Sequence, residues 1–216
     1  MHIHHKIKPE NHNLKGILIE IGTIIFAVLL ALSAEGLWEH HSTMSAVETS
    51  TERLNREITN NLYELVRTQK NSKMKYEKLL ALGDKIDNKK PFSEVVSVFD
   101  GYNSATLTEA TWKRVLNDRI ATYFPVDYME GTYEVYQYYE NFKSINDALF
   151  NFLLSDLFFN KDKQKEAYEA SVIYYKEVLR YCRYGIESYE KFLAQFDKEN
   201  FNAVKAKCDS IKSAQN

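Results

Sequence analysis

YEASVIYYKEVLRYCRYGIESYEKFLAQF, residues 168–196, carries the most regular apolar spacing in the chain. Tyr168, Val172, Tyr175, Leu179, Cys182, Ile186, Tyr189, Leu193 and Phe196 alternate by four and three through four heptads. A repeat of this kind keeps one stripe of an α-helix turned toward a neighbour, so the seam requires a second helix lying along it at ~+20°. The candidate neighbour is immediately upstream. A long helix is predicted from about 128 to 159, with Phe142, Ile145, Leu149 and Phe152 on its inner face and Gly131 weakening its first turn. Between the two lies Asn160-Lys161-Asp162, a polar turn in which Asn160 or Asp162 can cap the second helix. So short a connection folds the two helices antiparallel and buries Leu179 and Ile186 in mid-seam. Downstream, a terminal helix is predicted from about 201 to 213.

A second seam lies far upstream. Val47, Thr51, Leu54, Ile58, Asn61 and Leu65 keep the same alternation, apolar except at Thr51 and Asn61, within a helix predicted to run from Trp38 to about Leu82. Gly83-Asp84 and Asn88-Lys89-Lys90-Pro91 end it. A short helix is predicted over 92–99, stopped by Asp100-Gly101. Thr106-x-x-Glu109 reads as a capping box opening a helix that carries Trp112, Val115 and Leu116. Pro125 closes an irregular piece near Tyr123-Phe124. Seven glycines and three prolines in 216 residues leave few interruptions, and Lys, Glu, Leu, Ala and Tyr dominate. The fold class is all-α: an antiparallel helical bundle.

The bundle is preceded by a stretch of different character, LKGILIEIGTIIFAVLLALSAEGLWEHH, residues 14–41. Helix over 14–37 spans ~36 Å, enough for a hydrocarbon core of ~30 Å. Residues 21–34 are free of charge, and Glu20 and Glu35 close that window near the headgroups or at a contact with another membrane helix. Trp38 occupies an aromatic-belt position. Lys6, Lys8 and Lys15 precede the span, whereas no Lys or Arg lies between Trp38 and Glu52, so the positive-inside rule puts the N-terminus in the cytosol and the bundle in the periplasm. A cleaved signal peptide competes with this reading, since Ala31-Leu32-Ser33-Ala34 has the small residues of a cleavage site. The long n-region, Glu20 close to the apolar run, and a helical pattern continuing past the cut favour an uncleaved single-pass anchor. The expected organisation is a cytosolic tail over 1–13, a transmembrane helix over 14–38 that continues with little interruption into the bundle, and an extracytoplasmic helical domain over 39–216 of the inner-membrane protein.

Chemistry is mainly excluded. The net charge is −2, which gives no basic footprint for nucleic acid. All six histidines lie at or before His41, so the bundle has none for a catalytic triad or a His-based zinc site. His2, His4, His5 and His12 lack a carboxylate or thiol frame, and the adjacent His40 and His41 point ~100° apart on a helix. No two glycines are closer than Gly16 and Gly22, which rules out a phosphate loop. Cys182 and Cys208 have no CxxC partner, and a turn near 197–200 leaves them at depths of ~22 and ~12 Å along their helices, too unequal for a disulfide. Carboxylate pairs such as Asp127 with Glu130 or Glu109 with Asp118 are expected by chance on so charged a surface. No catalytic residue, metal or cofactor is assigned. Twelve of the fifteen tyrosines fall between Tyr123 and Tyr189. Tyr133, Tyr136, Tyr138, Tyr139, Tyr174, Tyr175, Tyr181 and Tyr184 either line a ligand groove or, as their places beside the seams suggest, pack a thin bundle with wet hydroxyls.

Glu20-Ile21, Ala31-Leu32 and Trp38-Glu39, followed by a coiled helix, resemble in order the signature of a broad group of uncharacterised bacterial single-pass membrane proteins. That group has an early Glu in its membrane helix, an Ala-Leu pair about eleven residues later and a Trp-Asn-Glu-like sequence at the outer interface. Ala110-Thr111-Trp112 and the residues from Tyr123 to Tyr139 form a second similar patch. The Trp-Glu pair here lacks the intervening Asn, and Glu35-Gly36 stands where the group has Asn or Asp. The resemblance implies an extracytoplasmic helical domain and, since that group has no established activity, little about function. Glu20, Glu35, Trp38 and Glu39 are the candidate membrane or partner contacts. The function expected is that of a non-enzymatic accessory or scaffold protein acting by protein contacts or self-association. The alternative is a ligand-binding sensor bundle, which, behind so short a tail, would need a membrane partner to carry its signal.

Overall fold

With so few breakers the helices run long. The computed structural model describes residues 14–96, 102 and 104–214. Its helices are α1 (Leu14–Leu80), α2 (Phe92–Val95), α3 (Ala110–Asn117), α4 (Val126–Leu153), α5 (Asp156–Phe159), α6 (Gln164–Phe196) and α7 (Lys198–Ser213), and no strand occurs among the described residues. Two units are distinguished, one up to Ala46 and one from Val47 onward. The described part of the first, from Leu14, is helix throughout; the second is the bundle. The predicted tail over 1–13, the end of the 92–99 helix and its Asp100-Gly101 stop lie outside the described residues.

The bundle core is continuous along both seams. Val47, Leu54, Ile58, Leu62, Leu65 and Val66 of α1 pack in one cluster with Val135, Tyr136 and Phe142 of α4 and with Val178, Cys182, Ile186, Tyr189 and Leu193 of α6. A second, aromatic cluster gathers Leu79, Phe92, Phe158, Ala167 and Tyr175. There Tyr102 stacks on Tyr175 at 5.7 Å and meets Phe152 edge-on at 6.1 Å. α4 and α6 pack on one another as the short turn requires, and Asn160 caps that turn by accepting from the Asp162 amide at 3.0 Å. The break after α1 is set by Asn88, whose φ of 57° is tolerated by Asn better than by most side chains. The buried Gln164 holds it there, its Oε1 accepting from the Asp87 and Asn88 amides at 3.1 and 2.7 Å.

Five expectations are corrected. The α6 seam is rotated by about one position: Gln164, Ser171, Val178, Gly185 and Phe192, seven residues apart, are all buried, whereas Val172 and Leu179 are only half-buried. Small residues in that row let α1 approach closely, and a Cβ on Gly185 would stand 3.1 Å from Leu65 Cδ1. The 128–159 helix is interrupted. The Ser155 Oγ and amide both bond the Phe152 carbonyl, Ser155 turns extended at ψ 155°, and α5 starts afresh. Gly131 lies inside α4, where a Cβ would come within 2.9 Å of Phe196, so its role is close packing. The capping box fails as well: Glu109 occupies the N-cap position of α3 but makes no side-chain cap. The terminal helix begins at Lys198, directly after α6, with the Asp197 carbonyl accepting from the Asn200 and Phe201 amides.

Candidate functional site

The cap that α3 lacks locally is supplied from α1. Glu57, only 8% exposed, accepts from the Thr111 amide at 2.8 Å with one carboxylate oxygen and from the Tyr136 hydroxyl with the other. One helical turn on, Asn61 pairs with the Thr108 backbone in both directions, donating at 2.7 Å and accepting at 2.9 Å. Tyr136 stacks on Trp112 at 5.3 Å. Burial first, and the Glu57 hydrogen bond second, hold the Tyr136 phenol un-ionised far above its usual range. One oxygen of Glu57 thus fixes α3 to α1, and the other ties α1 to α4. Nothing in the seam pattern marked Glu57; only its i,i+4 relation to the polar Asn61 hinted at a polar contact.

The tyrosines do not line one groove. Tyr136 and Tyr175 are buried in different clusters, Tyr138, Tyr139, Tyr174 and Tyr181 are half-buried, and Tyr133 and Tyr184 are exposed. Burial pushes the Tyr174 phenol up to about 12. Cys182 and Cys208 are both free and buried, and burial raises the Cys182 thiol to about 12 as well, which leaves it inert as a nucleophile at neutral pH. Of the carboxylate pairs, Asp127 and Glu130 are both exposed, whereas Glu109 is half-buried and pairs with Lys113, and the exposed Asp118 lies 3.8 Å from Arg114.

The four candidate residues of the first unit all project outward. Glu20, Glu35, Trp38 and Glu39 are exposed, as are Ile17, Leu18, Ile19, Ile21, Phe26 and Leu30, so the apolar surface surrounds the helix. Thr23 and Ser33 donate their hydroxyls to the carbonyls four residues earlier, each at 2.8 Å. Self-satisfied hydroxyls are what hydrocarbon surroundings demand. This helix is long and apolar enough to cross a membrane.

The bundle carries a second surface that the sequence did not announce. An open groove of about 1090 Å³ runs between residues 66–80 of α1, residues 176–183 of α6 and Lys212 of α7. Lys70, Lys73, Lys176, Arg180, Arg183 and Lys212 line it, against a single acid, Glu77. Its apolar floor includes Val66, Met74, Leu80 and Leu179. The half-burial of Leu179 follows from its place here. The i,i+3 and i,i+4 basic spacings on each helix are legible in the sequence, but their convergence depends on which faces meet. Compared with family models, curated proteins and solved structures, the chain gives no match.

Proposed function

We propose that this chain is a single-pass membrane-anchored scaffold, its bundle held outside the cytosol and acting through protein contacts and not through catalysis. The observation that carries this reading is the apolar surface around residues 17–38, exposed on every side and interrupted by charge only at Glu20 and Glu35. An all-round apolar helix of this length has its lowest free energy in hydrocarbon. Lys6, Lys8 and Lys15 before it, with no Lys or Arg from Trp38 to Glu52, support an N-terminus on the cytosolic side. The resemblance to bacterial single-pass proteins points the same way. A non-catalytic role is supported by the consumption of Glu57, Asn61 and the buried tyrosines in internal packing.

The test is topological and biochemical. In intact inner-membrane-bounded cells, His5→Cys should resist a membrane-impermeant thiol reagent and Lys90→Cys should react, Cys182 and Cys208 being buried. The chain should also remain in the membrane after carbonate extraction and keep its N-terminal residues. The reverse labelling pattern, or a mature N-terminus at Ala34 or Glu35, would remove the anchor. Crosslinking from native membranes should recover a protein partner or a second copy of the chain; a small ligand alone would favour the sensor.

A further inference from the structure

α7 marks how the α1–α6 groove can be filled. Its Val204 and Cys208 are buried in the core, Lys207 lies 4.2 Å above the Tyr63 ring of α1, and the Lys70 ammonium donates to the Ala214 carbonyl just past the helix end. Tyr63 to Lys70 and Lys207 to Ala214 are both seven-residue steps, so α7 lies parallel to α1 and in step with it. Beyond Lys70 the described part of α7 has ended, while α1 continues for ten residues to Leu80. The groove continues with it for ~15 Å, the length of about three helical turns. This open part is therefore an extension of an interface that already holds an α-helix.

Its chemistry selects the kind of helix. Six cations face one carboxylate in a protein whose overall charge is −2, so the excess is local. Arg180 is neutralised by Glu177, and Lys212 has Asp209 at 3.6 Å. Lys73 and Lys176, on opposite walls, have no ion pair among the described residues. Arg183 lies over the Tyr184 ring at 4.9 Å and has no ion pair among the described residues. Between the walls the floor is apolar, with Leu80 47% exposed. An apolar strip flanked by cations on both sides complements a helix with Leu-like residues on one face and carboxylates on its flanks.

We infer that this groove is a docking site for a short acidic amphipathic helix of a partner protein, seated as a continuation of α7 between α1 and α6. The inference deepens the scaffold reading by naming the chemistry of the partner, and rests on it. The probe is a fluorescein-labelled three-turn peptide with Leu on one face and Glu on the flanks, titrated by anisotropy against the full-length chain in neutral detergent. It should bind, and Lys73→Glu combined with Lys176→Glu should weaken binding about tenfold, the scale of replacing attraction by repulsion at two exposed sites. The same peptide with Lys for Glu should bind the double variant better than it binds the parent chain, a gain that misfolding cannot produce. Binding indifferent to both changes would overturn the inference. So would competition by anionic phosphatidylglycerol vesicles that leaves no saturable peptide binding, which would make the groove a lipid contact. If the peptide fails while native-membrane crosslinks map a partner to another face of the bundle, the groove falls and the scaffold stands.

Discussion

Residues 17–38 and residues 47–79 belong to one helix, yet their surfaces obey opposite rules. In the first stretch Ile17, Leu18, Ile19, Ile21, Ile24, Ile25 and Phe26 succeed one another around the helix, and all are exposed. In the second, Val47, Leu54, Ile58, Leu62, Leu65 and Leu79 recur on one stripe and are buried, while Glu52, Arg53, Arg56, Arg67 and Lys73 occupy the outer side. The residue types overlap; the period differs. A stripe is stabilised by one neighbouring protein surface, whereas an all-round apolar helix has to be covered on every side, by lipid or by other protein. The period of the pattern thus reports how much of each surface has to be covered.

The most severe way to break the comparison is to spoil the first stretch alone. Ile25→Arg with Val28→Arg places two charges near mid-span, at a cost of ~2.5–3.5 kcal/mol each on insertion scales. The double variant should leave the carbonate-resistant fraction, while the thermal midpoint of the bundle stays unchanged. Continued membrane retention would mean that residues 17–38 are not the anchor.

Inside the bundle the comparison sharpens between two seam positions. Ile186 is 6% exposed and central to the core, so Ile186→Ala should cost ~2–5 kcal/mol. Leu179 has the same place in the heptad but lies half-buried on the groove floor, and Leu179→Ala should cost only about 1 kcal/mol. Denaturant unfolding of the full-length chain in detergent measures both. Equal losses would mean that Leu179 is covered in the folded state, and the groove closed.

Glu57 tests a contact that no periodicity describes. Glu57→Ala strands the Thr111 amide and the Tyr136 hydroxyl, for about 1–3 kcal/mol. Glu57→Gln keeps one acceptor oxygen and should fall between Ala and the parent. If Ala were neutral, water would be reaching both donors, and α3 would not depend on α1 for its cap.

The same residues separate local from non-local information in the chain. The helical class, the α1 seam and the α4–α6 pairing are legible from repeats of three and four residues, because burial of a stripe is a local property of spacing. The rotation of the α6 seam was not legible, since Ser171 and Gly185 are buried for their smallness, which depends on how near α1 comes. The Glu57 cap replaced the expected Thr106–Glu109 box because α3 takes its acceptor from a helix fifty residues away. Of the candidate site, Glu20, Glu35, Trp38 and Glu39 were found as the edges of an apolar run. The basic groove was missed because its cations come from three separate helices, each with an unremarkable charged face.

The smallest expected effect bears on that groove. Lys73→Ala and Lys176→Ala remove exposed cations that have no ion pair among the described residues and lie outside both seams. Each should change stability by less than ~0.5 kcal/mol, as for most surface positions. The sign should lean toward stabilisation, because the cations around the groove exceed the carboxylates near them and relief of that repulsion favours the folded chain. Raising ionic strength should shrink the effect, since the groove is open to solvent. A loss above ~1 kcal/mol in either variant would assign these lysines a place in the fold. Their concentration around an apolar floor would then be explained by packing alone, and the contrast between a face built for the bundle and a face left for a partner would collapse at the position where it is most specific.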